Sequence, residues 1–300
     1  MNNMSIQNYR EELKDIIKLR YTDDNLITTQ IDQLTFYYRS DPTDMLETLY
    51  EPSVCIILQG SKEVGLGDEL IPYDEDMYLL ASIHMPAQVR VVKASLQQPY
   101  IGLTITFTME QIFEVLKEMP PVAKQSARSQ RGLYFGDMKL QLLESVTRLV
   151  RLLDSPEDIS VLSPLIIKEI LYTVMRDEGG DVIRQYVQDG SSEQRIVQAI
   201  TRIKDKYNQP LNVKELARTL SMSESSLYHS FKKMTAMSPL QFQKKLRLQE
   251  ARQMLLTQNI EAAQVAFEVG YESPSQFSRE FSRMFGLAPK TYAVKNQKIS

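Results

Sequence analysis

Two short stretches near the end of the chain carry hydrogen-bonding side chains at helical spacing. They read ESSLYHSFKKMT (224–235) and PSQFSREFSRMFG (274–286). Each has two apolar residues four positions apart, Leu227 and Phe231 in the first and Phe277 and Phe281 in the second. Each pair predicts one buried helical face, so the opposite face carries Ser, Tyr, His, Gln and Arg. These side chains can donate to or accept from base edges in a major groove about 12 Å wide.

The distribution of charge favours an anionic partner for the same end of the chain. Residues 191–300 contain 17 Lys and Arg against 9 Asp and Glu, which gives +8, whereas residues 1–190 contain 18 against 29, which gives −11. Together they make the net charge of −3, which conceals the asymmetry. Such a split between halves points to nucleic acid at the basic end. The residues expected to contact phosphates are Lys232, Lys233, Arg283 and Lys290.

A shift of 50 residues aligns the two stretches. It matches Ser223 with Ser273, Leu227 with Phe277, Phe231 with Phe281, Met234 with Met284 and Pro239 with Pro289. Each copy reads as a supporting helix, a turn and a second helix, so we predict two helix-turn-helix units over about 213–234 and 260–285. A plain helical bundle is the alternative for one copy, and repetition on the basic half favours DNA binding.

Residues 238–256 read as one long helix between the two units, with Leu246, Ala251, Met254 and Leu255 facing inward. A rigid connecting helix would fix the separation of the two reading helices. Two such helices on one face of B-DNA need centres about 34 Å apart, which is one turn of the duplex.

The first part of the chain predicts a different architecture. Short β-rich runs between Gly, Asp and Pro occupy about 50–107 and predict a small barrel or sandwich, with a hairpin turn at Gly67 and Asp68. Helices follow over 108–185, the first capped by Thr108. The expected fold class is therefore α+β, with an N-terminal domain over 1–185, a linker over 186–192 and an all-α domain over 193–300. The barrel interior either is a filled core or holds a ligand.

Two amphipathic stripes follow the barrel and have two alternative roles. They comprise Leu140, Leu143, Val146, Val150 and Leu153, and then Leu165, Ile166, Ile170 and Val174. The stripes pack either on each other or on a second copy of the chain, and the second alternative predicts a homodimer.

Composition argues against an enzyme, a metal site and a cofactor. The chain has one cysteine and two histidines, so His84 alone in the barrel cannot supply a clustered ligand set. Cys55 lies in an apolar strand, where it is either a small buried hydrophobe or a thiol sensor in an effector site. No Lys or Arg is adjacent to lower its pKa, which favours the buried alternative.

No targeting or membrane segment is expected. The start, MNNMSIQNYREELKD, lacks the apolar stretch of a signal peptide, and no window approaches about 18 uninterrupted apolar residues. We expect a cytoplasmic protein with no membrane partner.

The C-terminal region resembles the AraC/XylS family of bacterial transcription regulators. The resemblance covers about 193–295 and rests on SPLQFQKKLRLQEARQMLL and VAFEVGYESPSQFSREFSRMFGLAPKTY. It implies seven helices and two helix-turn-helix units that contact successive major-groove segments. EPSVCIILQGSKEVGLGDE and LIIKEILY resemble the cupin-like sensor domain of one branch of this family, which implies an effector-responsive barrel.

The resemblance also implies roles for particular side chains. The residues that would face bases are Ser225, Tyr228 and His229 in the first unit and Ser275, Gln276 and Arg279 in the second. Glu224 and Glu280 are departures from the expected pattern, because each places a carboxylate close to the expected phosphate contacts. The expected partners are double-stranded DNA, RNA polymerase and a small-molecule effector. A related DNA-repair regulator with a zinc-held acceptor cysteine is excluded by the single cysteine, whereas a DNA-binding protein whose barrel serves only dimerisation stays open.

Overall fold

Ten strands lie in the part of the chain that the structure describes. The structure is a computed structural model, and it describes residues 5–20, 26–66, 69–119, 132–176, 180, 183, 191–258 and 260–297. The strands are β1 (Leu26–Thr28), β2 (Leu34–Arg39), β3 (Leu46–Tyr50), β4 (Ser53–Gln59), β5 (Ser61–Leu66), β6 (Glu69–Asp74), β7 (Met77–Ala81), β8 (Met85–Lys93), β9 (Tyr100–Thr106) and β10 (Leu133–Asp137). Because successive side chains of a strand point to opposite faces, each strand contributes to two environments.

The strands form two sheets, which together are called the barrel. A six-stranded sheet has the order β1-β2-β9-β4-β7-β10, and a four-stranded sheet has the order β3-β8-β5-β6. In the larger sheet β4 pairs antiparallel with β7 on one side and with β9 on the other. Tyr73 of β6 and Phe135 of β10 make an edge-to-face ring contact across the two sheets, at 5.4 Å between centroids.

Within the described residues, four helices accompany the barrel. They are α1 (Ile6–Arg20), α2 (Met109–Glu118), α3 (Leu140–Arg151) and α4 (Pro156–Met175), with a 3₁₀ turn at Leu152–Asp154. Alternate residues of the larger sheet, such as Ile56 and Leu103, pack with Leu13 of α1, Val146 of α3 and Ile170 of α4 in one apolar core. The helices therefore cover one face of this sheet, and the opposite face lines the barrel interior.

Several local expectations agree with the structure. Thr108 caps α2 by accepting from the Gln111 amide at 3.2 Å, and the Gln111 side chain accepts from the Thr108 amide at 2.9 Å, which completes a capping box. The hairpin of β5 and β6 also forms, because Leu66 pairs with Glu69. Its turn residues, Gly67 and Asp68, lie outside the described residues.

The strands extend beyond the predicted range of 50–107. β1, β2 and β3 begin before it, and β10 lies where only helices were expected. β10 exists because it pairs with β7, with Leu133 opposite Ala81 and Asp137 opposite Met77. Five residues beside an amphipathic helix are too few to show the alternation typical of a strand, so the pairing of β10 with β7 could not be predicted from the sequence.

The two amphipathic stripes pack on each other within the core. Val146 and Val150 of α3 lie in the same cluster as Ile166, Ile170 and Val174 of α4. Leu165 instead is 61% exposed. Helix α4 begins at Pro156, well before the first residue of the predicted stripe, and Pro164 lies inside it. The stripes therefore form part of this core, and Leu165 does not.

The chain divides into two units. The first comprises Met1–Met45, Tyr50–Met85 and Val89–Gln188, and the second comprises Leu46–Leu49, Pro86–Gln88 and Asp189–Ser300. Residues 186–190 of the predicted linker over 186–192 lie outside the described residues. Ser191 caps the next helix, because its side chain accepts from the Gln194 amide at 3.0 Å.

Seven helices occupy residues 191–258 and 260–297, in agreement with the number that the resemblance implied. They are α5 (Ser192–Asp205), α6 (Val213–Thr219), α7 (Glu224–Thr235), α8 (Pro239–Thr257), α9 (Ala262–Glu268), α10 (Pro274–Phe285) and α11 (Pro289–Gln297). Leu248 and Leu255 of α8 pack with Val265 of α9 and with Phe277 and Phe281 of α10. The α+β expectation, with strands first and helices last, is confirmed.

Candidate nucleic-acid interface and barrel interior

The first helix-turn-helix unit consists of α6 and α7. Asn212 caps α6 through the Glu215 amide at 3.1 Å, and Ser223 caps α7 through the Ser226 amide at 3.1 Å. Between them Ser221 has φ of 54°, and the Met222 amide donates to the Ala217 carbonyl at 2.9 Å. A residue with positive φ thus follows the end of α6, and a polar cap begins α7 two residues later, which makes the sharp turn.

The second unit consists of α9 and α10 and repeats this geometry. Gly270 has φ of 89°, and the Tyr271 amide donates to the Ala266 carbonyl at 2.8 Å. A Cβ at Gly270 would lie 2.1 Å from the Asn208 carbonyl oxygen, so only glycine fits here. Ser273 then caps α10 through the Gln276 amide at 3.3 Å.

The internal repeat has two offsets. The supporting helices and the start of each turn correspond at 49 residues, as Ala217 to Ala266 and Ser221 to Gly270. The second helices correspond at 50 residues, as Ser223 to Ser273, and they end alike at Ala236 and Gly286 with positive φ. The second turn therefore contains one additional residue, which a single shift of 50 could not indicate.

The residues predicted to face bases all lie exposed on α7 and α10. They are Ser225, Tyr228, His229, Ser275, Gln276 and Arg279. On the opposite side of each helix the anchors are buried, with Leu227 and Phe231 at 0% exposure in α7 and Phe277 and Phe281 at 1% and 0% in α10. Each unit thus presents one polar helix face to solvent.

The residues predicted to contact phosphates are exposed as well. Lys232 and Lys233 lie in the last turn of α7, Arg283 lies in the last turn of α10, and Lys290 lies in the first turn of α11. Cations in a last turn also interact favourably with the helix dipole.

Glu280 is neutralised by neighbours that the sequence did not indicate. The Lys244 ammonium of α8 lies 2.7 Å from its carboxylate, and the Tyr271 hydroxyl donates to it at 2.9 Å. Gln276 also donates to Glu280, at 3.3 Å. Partial burial opposes ionisation, yet these hydrogen bonds lower the pKa of Glu280 overall. This carboxylate therefore joins α10 to α8.

Arg247 of α8 fixes the second turn to the loop that precedes α6. Its guanidinium donates to the carbonyl oxygens of Tyr207 at 2.7 Å, Gly270 at 2.8 Å and Gln209 at 2.9 Å. Three charge-assisted bonds to backbone carbonyls set the position of Gly270 relative to α8. In sequence this arginine looks like one more solvated charge of a basic helix.

The barrel interior contains a polar cluster around Lys62. The Lys62 ammonium lies 4.9 Å from the ring centroid of Tyr37 and 4.7 Å from that of Tyr100. The phenol of Tyr100 extends over Gly102, where a Cβ would lie 2.6 Å from the hydroxyl. Burial lowers the pKa of Lys62 to about 8 and raises the pKa of Tyr37 to about 12. The feature of the sequence that could have indicated this cluster is a lysine at an inward-facing position of a strand.

Cys55 lies on the inner face of β4 and is 6% exposed. The Thr104 hydroxyl donates to its sulfur at 3.3 Å. Burial raises the pKa of the Cys55 thiol, although Thr104, Lys62 and Ser53 each act to lower it. A raised pKa disfavours the thiolate that a reactive cysteine needs.

Comparison with known families decides the identity of the chain. Residues 30–182 match the family described as the AraC-type transcriptional regulator N-terminus, and residues 216–294 match a helix-turn-helix domain. The first match alone spans half of the chain. The chain belongs to the AraC family of transcription regulators.

Relatives of this AraC-family chain include regulators of sugar operons. It is 28% identical over 138 residues to the raffinose operon transcriptional regulatory protein RafR of Pediococcus pentosaceus, which covers 44% of this chain and 48% of that protein. It is 21% identical over 207 residues to the Msm operon regulatory protein of Streptococcus mutans, which covers 68% and 71%. The chain spans about half or less of the length of the first curated relatives it matches.

Solved structures share the fold of this AraC-family chain. ToxT from Vibrio cholerae, crystallised with an unsaturated fatty acid, matches with a TM-score of 0.63 at 12% identity and covers 91% of this chain and 97% of its own. At this identity the likeness establishes the fold alone. The matched families describe transcription regulators and no enzyme, in agreement with the expectation from composition.

Two properties of the described residues concern metal binding and membrane spanning in this AraC-family chain. Among those residues no group of three or more His, Cys, Asp or Glu side chains could hold a metal ion, and no helix is long and apolar enough to cross a bilayer. His84 lies 3.7 Å from the Glu51 carboxylate, and its side chain is 15% exposed.

Proposed function

We propose that this AraC-family regulator binds a specific DNA sequence through α7 and α10, and that a small effector in the barrel controls the binding. One observation carries the first part. Two turns with the same hydrogen bond, from Met222 to Ala217 and from Tyr271 to Ala266, each present an exposed polar helix face on the basic end of the chain. A helix set against its support in this way can enter a major groove.

Among the proposed base-reading residues, Arg279 has the most favourable position. It lies two residues from each buried anchor, Phe277 and Phe281, and its side chain is exposed. Its Nε donates a long hydrogen bond to the Ser275 carbonyl oxygen, at 3.4 Å, and this bond does not use the terminal nitrogens. Arginine commonly contacts O6 and N7 of guanine with two bonds. Ser275 and Gln276 precede it on the same helix as the other readers of this unit.

The first unit reads through Ser225, Tyr228 and His229, while Lys232, Lys233, Arg283 and Lys290 hold the phosphates. Glu224 lies in the first turn of α7, where the helix dipole favours a carboxylate. Its charge nevertheless opposes phosphate contact there, so we expect the larger share of base reading from α10.

The effector part of the proposal rests on the polar interior of the barrel. Lys62, Cys55 and Thr104 place polar groups in the barrel interior, where a purely structural core would have apolar side chains. ToxT, which shares the fold, was crystallised with a fatty acid, and this supports a small-molecule role for the N-terminal unit.

A second candidate is a regulator without an effector, whose N-terminal unit serves homodimerisation. The observation that favours it is an exposed apolar row on α4, with Val161 at 66%, Leu165 at 61% and Tyr172 at 40% exposure. RNA polymerase is the further proposed partner, and transcription in vitro from an operator-bearing promoter tests it. Unchanged transcription on addition of the protein would contradict that role.

The test of DNA reading starts from an operator selected from a random duplex library with the full chain. Each base pair of the operator is then replaced in turn, and the affinities of the wild type, Arg279→Ala and Arg283→Ala are measured. Arg279→Ala should cost about 1 to 3 kcal/mol, concentrated at one base position. Arg283→Ala should weaken all sequences about equally, because a phosphate contact carries no sequence information.

Arg202→Ala is the matched control, since Arg202 is exposed on α5 and lies on neither reading helix. It should leave the operator profile unchanged. A uniform loss for Arg279→Ala across the series would show that Arg279 does not read bases. Failure to select any sequence would contradict sequence-specific binding altogether.

A further inference from the structure

Lys62 lies inside the barrel rather than on its surface. It belongs to β5 of the smaller sheet, and its ammonium points between Tyr37 of β2 and Tyr100 of β9, both in the larger sheet. By accessible area Lys62, Tyr37 and Tyr50 are only partly buried, although protein surrounds their ionisable atoms on nearly all sides. These side chains thus keep some accessible surface in a part of the barrel that protein surrounds closely.

The Lys62 ammonium has no counter-charge there. Across the part of the chain that the structure describes, no carboxylate forms an ion pair with it. The groups that face it are the rings of Tyr37 and Tyr100, the Cys55 thiol of β4, and Arg39 of β2, a second cation whose field opposes its protonation. A buried cation without an anion is unfavourable unless a ligand supplies one.

The same space contains hydroxyl donors. Tyr50 and Tyr73 share a side-chain hydrogen bond, and burial raises the pKa of Tyr50, Tyr73 and Tyr100 well above the usual value, so all three phenols stay protonated. Neutral phenols can donate to an anion, whereas phenolates would repel it. The aromatic rings supply flat apolar walls beside the charge.

We propose that the barrel interior binds a small organic monocarboxylate, whose carboxylate pairs with Lys62 between Tyr37 and Tyr100. This inference rests on the proposed role of the barrel as the effector site and names the chemical class of the effector. One buried ammonium balances one negative charge, whereas Arg39, the other cation that acts on Lys62, is exposed to solvent. A phosphate carries close to two charges at neutral pH and would leave one uncompensated in a poorly solvated space. An uncharged sugar would leave the ammonium without a counter-ion.

The experiment uses the full chain without DNA and three matched pairs of probes. These are benzoate, 4-phenylbutyrate and octanoate, each beside its uncharged primary amide. Calorimetric titration and the shift of the melting temperature report binding. We expect at least one acid to bind at least about tenfold more tightly than its amide, because only the acid pairs with the buried ammonium.

Lys62→Met should remove this preference and leave the affinity for the amide unchanged. Lys93→Met is the matched control, since Lys93 is an exposed lysine of β8 in the same sheet, and it should keep the preference. Lys62→Gln repeats the test if the methionine variant does not fold. The inference is overturned if none of the acids binds the wild type, if acid and amide bind alike, or if Lys62→Met keeps the preference.

DNA affinity is measured on the same preparations with the selected operator. Normal DNA binding without any acid preference contradicts only the inference about Lys62. Acid binding without sequence-specific DNA binding contradicts only the proposed DNA-reading function. The two failures are therefore distinguishable.

Discussion

Replacing Lys62 by methionine should stabilise the unliganded protein at neutral pH. The ammonium of Lys62 is held over two tyrosine rings without a carboxylate partner among the described residues. Methionine has a similar length and no charge, so it can fill the same volume without a cation to desolvate. Removing a buried lysine should therefore raise the free energy of unfolding, whereas most core substitutions lower it.

The magnitude follows from the pKa of Lys62, which burial lowers from 10.5 to about 8. A difference of about 2.5 units at about 1.36 kcal/mol each corresponds to a destabilisation of about 3 kcal/mol when the group is charged. Loss of two cation–π contacts, at about 0.5 to 1 kcal/mol each, reduces the expected net gain to about 1 to 2 kcal/mol.

The lowered pKa of Lys62 also predicts how the stability difference between the wild type and Lys62→Met changes with pH. Between pH 8 and 10.5 the unfolded chain binds more protons at Lys62 than the folded chain does, so the wild type gains stability from this group as the pH rises. The advantage of Lys62→Met should thus be complete below about pH 8 and shrink above it. Burial raises the pKa values of Cys55 and of four tyrosines of the barrel interior, Tyr37, Tyr50, Tyr73 and Tyr100, so these groups act in the opposite direction, but both proteins contain them.

Urea unfolding at pH 7, 8 and 9.5 measures the difference, with Lys93→Met as the control because its side chain is exposed. The control should differ from the wild type by less than about 0.5 kcal/mol at each pH. If Lys62→Met is less stable at pH 7, or if its advantage does not change with pH, then Lys62 is not a desolvated cation and the reasoning is wrong.

Three further outcomes can be checked. Gly270→Ala should lower the free energy of unfolding by more than about 2 kcal/mol, because φ is positive and the Asn208 carbonyl blocks a Cβ. Gly286→Ala is the control, since Gly286 has positive φ but open space around it, and it should cost only about 1 kcal/mol. Equal losses of stability for the two variants in denaturation would contradict the clash at Gly270. Residues 190–300 alone should bind the selected operator with an affinity that falls steeply with salt, as counterions are released from phosphates, and no binding in low-salt gel shifts would exclude an autonomous DNA-binding unit. The exposed row of Val161 and Leu165 on α4 should support a homodimer, and light scattering that gives 34.6 kDa at micromolar concentration would rule the dimer out.

The helix-turn-helix units could be predicted closely because their signals are local. Helix caps at Ser223 and Ser273, and apolar pairs one turn apart at Leu227 with Phe231 and Phe277 with Phe281, act within a few residues. The predicted second helices over 224–235 and 274–286 accordingly differ from α7 and α10 by at most one residue. The roles of the individual side chains in reading DNA stay predictions.

Contacts between distant segments could not be predicted from the sequence. Glu280 looked out of place beside phosphates until Lys244 and Tyr271 appeared as its partners, and Arg247 gave no sign of binding the Gly270 carbonyl. In both cases the partners come from different segments of the chain, so only packing brings each charge and its partners together. The same reason applies to β10, which is a strand because β7 lies beside it.

The sequence by itself determined the division into a strand-containing first part and an all-helical last part, the basic end of the chain and the repeated helix-turn-helix pattern, because helical period, caps and charge are properties of neighbouring residues. Tertiary structure alone decided what the barrel encloses. Lys62 in β5, Tyr37 in β2, Cys55 in β4 and Tyr100 in β9 are far apart or unremarkable in the sequence. They share one interior because the two sheets face each other, and it is that enclosure, by removing water from around an unpaired ammonium, that gives the site its chemistry.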